Sequence, residues 1–133
     1  NKWFYCTQMK DNMLMTGGEG KVRLWDLRSG ETVRKFSCNF SFPPAWVTCL
    51  KFDENKVVAG SFNRNAYVWD FGTGRLINRW TAHEDKISAI HMDGTSLFTA
   101  SRDRSVKRWE FDTDPVLPPS PLSSPRRSNC SFM

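Results

Sequence analysis

What this chain lacks narrows its function first. It has no run of about twenty apolar residues, the length a membrane-spanning helix needs, and no signal-peptide pattern at its start. It has no HExxH or GxSxG signature, no glycine-rich phosphate loop and no His/Asp/Glu cluster. The convergent titratable groups of an enzyme are therefore missing, and neither catalysis nor a cofactor is expected. The four cysteines, Cys6, Cys38, Cys49 and Cys130, show neither a CxxC pair nor metal-ligand spacing, so no metal is expected either. Cys6 and Cys49 fall in apolar stretches, where a free thiol behaves as a small hydrophobe. That usage fits a reducing cytoplasmic or nuclear setting, in which the sequons at Asn39 and Asn129 carry no meaning.

Segregated charge is also absent. The net charge is +5, and in residues 112–133 Asp112 and Asp114 cancel Arg126 and Arg127, so the excess sits on the rest of the chain. There the acidic and basic residues are interspersed rather than clustered, which speaks for solvated surface and against nucleic acid as a partner.

What is present is a repeat. Three stretches align without a gap on their tryptophans: Trp3 to Trp25, Val47 to Trp69 and Ile87 to Trp109. A unit of roughly 40 residues holding several short strands is the mark of a propeller blade, which must be sandwiched between neighbours to bury both faces. The turn signals divide the first unit into strands at 3–7, 13–17, 21–27 and 32–36, and the second into 46–52, 57–61, 66–71 and 76–80. The third has strands at 87–92, 97–101 and 105–111, after which the chain becomes rich in proline and serine and offers no alternation for a fourth. The expected fold is all-β: a partial β-propeller of three four-stranded antiparallel blades, the last lacking its outer strand. Residues 1–45 form the first blade and a connecting loop, 46–82 the second, 83–111 the third, and 112–133 a disordered tail.

Propellers close with about four to eight blades, and the chain opens on Asn1 rather than methionine. It is therefore expected to be the C-terminal part of a longer protein whose missing N-terminal blades are its first partner. An outer strand for the last blade would then come from the far N-terminal end of the ring. Expressed alone, three blades should expose an apolar flank and aggregate.

The pieces VRLWDL, AYVWDF and VKRWEF, each after a small-residue strand (MTGG, VAGS, TASR), resemble the WD-repeat family of β-propellers over residues 1–111. The resemblance implies a structural tetrad in the third blade: His83 before strand a, with Ala82 in place of the family's glycine, Ser101 in strand b, Asp103 in the b–c turn and Trp109 in strand c. Asp103 would hold one imidazole nitrogen and Ser101 would bridge the other to the indole N–H. A Ser–His–Asp set invites a hydrolase reading, but this serine sits mid-strand beside a tryptophan, away from any oxyanion hole. The second blade keeps Ser61 and Trp69, with Asn63 for the aspartate and Pro43 for the histidine. The first keeps Trp25 alone, with Glu19 and Gly17 at the acid and serine positions.

By the same resemblance the d–a and b–c loops line a top face. The residues before each strand a and each turn acid then point upward: Lys2 and Gly18, Trp46 and Phe62, Lys86 and Arg102. An aromatic pair beside cations is the composition of an interface hot spot, unless Trp46 packs under the loop at 37–45. Arg64 and Arg104 would extend a basic rim able to hold an acidic or phosphorylated peptide.

Two further motifs lie in the tail. Ser120-Pro121 and Ser124-Pro125 have the form of proline-directed phosphosites, and Cys130-Ser131-Phe132-Met133 fits a C-a-a-X prenylation pattern, which would be the only route to a membrane. The function implied is a non-catalytic scaffold for other proteins or peptides, with no small-molecule substrate. Its short a–b turns are similar to those of F-box WD-repeat proteins, which present substrates to ubiquitin ligases.

Overall fold

Small and β-branched residues alternate between turn formers throughout this sequence, and the result, among the described residues, is strand without helix. The computed structural model describes residues 4–38 and 45–111, together with the backbone of 126–131. Among the described residues twelve strands form three antiparallel sheets. The first holds β1 (Phe4–Lys10), β2 (Met13–Gly18), β3 (Lys21–Asp26) and β4 (Thr32–Ser37) in sequential order. The second repeats it with β5 (Val47–Phe52), β6 (Lys56–Ser61), β7 (Asn65–Asp70) and β8 (Leu76–Thr81). The third comprises β9 (Ile87–Asp93), β10 (Ser96–Ser101), β11 (Ser105–Glu110) and β12 (Arg126–Ser131). Strand β5 lies between β1 and β9, so the sheets fan out from a shared inner edge.

The fourth strand of the third blade corrects the sequence reading. β12 pairs with β11 from Ser105↔Ser131 to Glu110↔Arg126, opening as β4 and β8 open on β3 and β7 but without the irregularity that those ladders show just before the tryptophan. A β-ladder is made by backbone N–H and C=O groups, so RRSNCS completes a sheet without the apolar alternation that would have announced it. The expected disorder therefore fails for 126–131. Lys2, Pro43, the two Ser-Pro pairs and Met133 lie outside the described residues, as does the side chain of Cys130.

Pairing also exposes a one-residue slip in the ungapped alignment. Phe4 faces Gly18 as Val47 faces Ser61 and Ile87 faces Ser101. The first b–c turn is Glu19-Gly20, one residue shorter than Phe62-Asn63-Arg64 and Arg102-Asp103-Arg104. Upstream of that turn every equivalence in the first blade moves by one, so Gly18, not Gly17, occupies the position of Ser101. All three turns end on a left-handed residue, Gly20, Arg64 and Arg104, at φ of 70°, 76° and 71°. For the arginines this costs about 1 kcal/mol each.

Two cores fill the seams. Met15, Val22, Leu24 and Phe36 of the first sheet meet Val57, Ala59, Tyr67 and Trp69 of the second. On the opposite face of the second sheet Val58, Ala66 and Val68 meet Ile90, Leu97 and Trp109. Because side chains alternate along a strand, the run KVVAGS of β6 serves both seams and is buried along its whole length. Two glycines set the spacing. A Cβ on Gly17 would stand 2.6 Å from Val47 Cγ1, and one on Gly60 2.6 Å from Ile87 Cγ2. Across each seam an aromatic of the outer strand meets the next sheet's tryptophan edge-on, Phe36 on Trp69 at 6.1 Å and Trp80 on Trp109 at 5.4 Å between centroids.

Candidate protein-interaction surface

The polar set of the third blade is built around His83, which the β8–β9 connection inserts into the seam, fully covered. Its Nδ1 lies 2.9 Å from Asp103 Oδ2 and 3.0 Å from Ser105 Oγ. Its Nε2 lies 2.7 Å from Thr99 Oγ1, and the Trp109 indole N–H donates to that same oxygen at 3.0 Å. Since Thr99 accepts from the indole, its single proton is left for Nε2, and Nδ1–H then donates to Asp103: one neutral tautomer satisfies every group. Burial, outweighing the attraction of Asp103, holds the His83 pKa below its ordinary value, in keeping with that neutral form. Burial pushes the Asp103 carboxyl up, but hydrogen bonds from Ser105, the Glu84 amide and His83 together outweigh it and hold the group well below the usual carboxylate range.

Ser101, expected to bridge imidazole and indole, does not. Trp109 faces Leu97 across the ladder, and Thr99 is the next residue on the same face; Ser101 lies two residues farther, roughly 6–7 Å along the strand. Its hydroxyl donates instead to the carbonyls of Asp85 and Lys86 and accepts from the Asp103 amide. Ser61 does the same in the second blade, donating to Trp46 O at 3.0 Å and accepting from the Asn63 amide. These serines clamp the upper corner of each sheet. The Phe62 amide donates to Trp46 O at 2.8 Å and the Arg102 amide to Lys86 O at 3.2 Å, so each serine fixes one pair of surface residues.

The other tryptophans find different partners. Trp25 donates to Thr16 Oγ1 at 2.9 Å, a residue the shifted alignment had hidden, so it does not stand alone in its blade. Trp69 donates to Ser37 O at 3.1 Å and stacks on Tyr67 with ring centroids 5.7 Å apart. The Tyr67 hydroxyl accepts from Asn63 Nδ2 at 2.9 Å.

At the top of the fan the structure brings Trp46 and Phe62 to 5.6 Å between centroids. Tyr5 joins them, stacked on Trp46 at 6.3 Å, and Lys86 Nζ lies 5.8 Å from the centre of the Phe62 ring. Trp46 and Phe62 retain 39% and 52% of their exposure. The run crosses all three sheets. Sequence reasoning missed Tyr5, because its place depends on the ladder irregularity between Phe4 and Cys6; an aromatic beside the start of strand a was the available signal. Arg64, Arg102 and Arg104 are exposed on the b–c turns at this end, with no ion-pair partner among the described residues.

No group of His, Cys, Asp and Glu among the described residues could hold a metal. Burial pushes the thiols of Cys6 and Cys38 up to about 12 and that of Cys49 up to about 11, which keeps them protonated and unreactive. No helix among the described residues is long and apolar enough to cross a membrane.

Four-stranded sheets fanned from a common inner edge, each keyed by a strand-c tryptophan, are blades of a β-propeller. The family described as "WD domain, G-beta repeat" matches residues 30–70 and 74–110, more than half of the sequence, and the chain belongs to it. Each match takes the outer strand of one sheet together with the three inner strands of the next. Among known proteins the chain is similar to autophagy-related protein 16 of Arabidopsis thaliana, at 31% identity over 102 residues, covering 74% of this chain and 20% of that one. It is also similar to the periodic tryptophan protein 2 homolog of Caenorhabditis elegans, at 32% over 111 residues, covering 81% and 12%. The chain thus spans a fifth or less of the length of these relatives. Among solved structures it resembles the computationally designed Ika8 protein, with a TM-score of 0.73 and 27% identity over 83% of this chain and 34% of that one.

Proposed function

We propose that the chain is part of a non-catalytic scaffold that binds a segment of another protein across its top face. The observation carrying this reading is the exposed run Tyr5–Trp46–Phe62, continued by Lys86, which spans three blades and is pinned by Ser61 and Ser101. Rigid aromatics beside cations are what protein interfaces use as anchors. A cytoplasmic or nuclear setting belongs to the same reading, supported by the unpaired, covered thiols. Replacing Trp46 and Phe62 by alanine and repeating an affinity purification tests it: loss of specific partners with folding retained is expected, and an unchanged set would refute it.

A finer version makes the chain the substrate-recognition module of an F-box ubiquitin ligase. Its support is the shortness of the a–b turns, Asp11-Asn12 and Gly94-Thr95 being two residues each. Co-purification of a cullin with the full-length protein is its test. An acidic or phosphorylated ligand is favoured to the extent that Arg64, Arg102 and Arg104 contribute, and an affinity unaffected by their replacement with glutamine would remove that version.

A further inference from the structure

At the end of the sheets opposite the aromatic run, the a–b turns of the first two blades enclose a cleft of about 210 Å³. Phe52 and Phe71 form its floor, their rings parallel within 5° and 6.0 Å apart, and the half-exposed Met13 forms one wall. Lys10 and Glu54 bridge its mouth from opposite blades at 3.7 Å. Phe52 and Asp53 also line a second hollow of about 350 Å³ that reaches Met92 and Gly94 of the third blade. The floor is held from both sides. Gln8 clasps the Phe52 backbone, accepting from its amide at 2.8 Å and donating to its carbonyl at 3.4 Å, and Asp53 is saturated by the Lys56 ammonium and two amides.

The a–b turns are locally acidic: Asp11, Glu54 and Asp93 stand against Lys10 and Lys51, with Asp53 and Lys56 cancelling. The carboxylates that end each strand c here are used locally, Asp26 by the Arg28 amide, Asp70 by Gly72 and Thr73, and Glu110 by Arg108. The smaller hollow lies below the roughly 300 Å³ at which pockets begin to hold drug-sized molecules, and its size suits one large side chain. An apolar floor with a flexible methionine wall under a carboxylate rim is complementary to an apolar side chain flanked by cations.

We propose that this bottom cleft is a second docking site, which takes a basic peptide segment of another protein and seats one of its large apolar side chains on Phe52 and Phe71. The site is independent of the top-face reading.

The probe is a fluorescein-labelled peptide with one tryptophan between Lys-Arg pairs, compared with its Trp→Ser and Lys/Arg→Glu counterparts by fluorescence polarisation on the purified protein. Saturable binding is expected for the first, at least about tenfold weaker binding for the second and none for the third. The double variant Asp11→Asn with Glu54→Gln should lose about tenfold for the first peptide; asparagine is chosen because residue 11 has φ of 55°, which it tolerates. In methyl spectra Met13 should shift on titration while the fully buried Met15 does not. A variant with Trp46 and Phe62 both changed to alanine should bind the peptide unchanged, which separates a failure here from a failure of the top face. No saturable binding, equal binding of the Trp→Ser peptide, a neutral double variant or an unmoved Met13 overturns the proposal.

Discussion

Trp69 and Trp109 hold the same place in their sheets, facing Val57 and Leu97 across the ladder, and their surroundings satisfy them by opposite means. Around Trp109 the solution is polar: Thr99, His83 and Asp103 pass one hydrogen-bond chain through the seam. Around Trp69 it is aromatic, because Ala59 stands where Thr99 would, Tyr67 covers the indole face and the Ser37 carbonyl of the neighbouring sheet accepts the indole N–H. Each strand-c tryptophan has a seated ring and a bonded indole N–H, a requirement that does not extend to Trp80, whose buried Nε1 has no partner among the described residues. Which residues meet that requirement is interchangeable, so two neighbouring seams share a shape and differ in their response to conditions.

The largest effect should come from what the two seams share. Gly60→Val drives a side chain into Ile87 and Cys49, and a loss of about 3 kcal/mol in chemical denaturation is expected. Thr99→Val separates the seams: it leaves Trp109 Nε1 and His83 Nε2 without their partner and should cost about 2–3 kcal/mol. Ser101→Ala, outside that relay, should cost less than about 1 kcal/mol while freeing Lys86 and Arg102 to reorient. Should the serine prove the costlier loss, the assignment of the relay to Thr99 is wrong.

Of the two tryptophan seams, acid should act on the polar one, although Asp53 in the second blade's a–b turn is also held low, against the effect of burial, by the Lys56 ammonium and two amides. The His83 pKa is depressed on folding, so the unfolded chain binds its proton first, and stability falls as pH drops below the unfolded value of about 6.5. Asp103 is depressed as well, and its contribution, present above about pH 3.8, is lost as pH falls further. Hydrogen exchange against pH should show amides of β10 and β11 losing protection before those of β3 and β4, and His83→Gln should flatten the upper step. The aromatic side should show no such dependence. Tyr67→Phe removes the acceptor of Asn63 Nδ2 and should lower stability by about 1 kcal/mol with no pH dependence.

Strand positions and the three tryptophans were legible in the sequence because turn formers and period-two alternation report directly on backbone and burial. The failures share a cause, which is pairing across the sheet. An alignment pinned on Trp25 cannot sense that the Glu19-Gly20 turn is one residue short, since the loss becomes visible only when Phe4 is found opposite Gly18. Thr99 and Ser101 lie on one strand face, and only the ladder tells which hydroxyl reaches Trp109. β12 is joined through peptide groups that no side-chain pattern reports. The top-face pair Trp46 and Phe62 was legible because its geometry follows from strand ends alone.

The covalent repeat and the folded sheet are out of step by one strand: β8 closes a sheet whose other strands belong to the preceding match, and β4 one whose other strands precede the first match. Every repeat is thus riveted into two sheets at once, like a link in chain mail. Excising or duplicating a whole repeat hands each broken sheet a matching edge from the next link. An array built this way can change its length over evolutionary time without unravelling any single member.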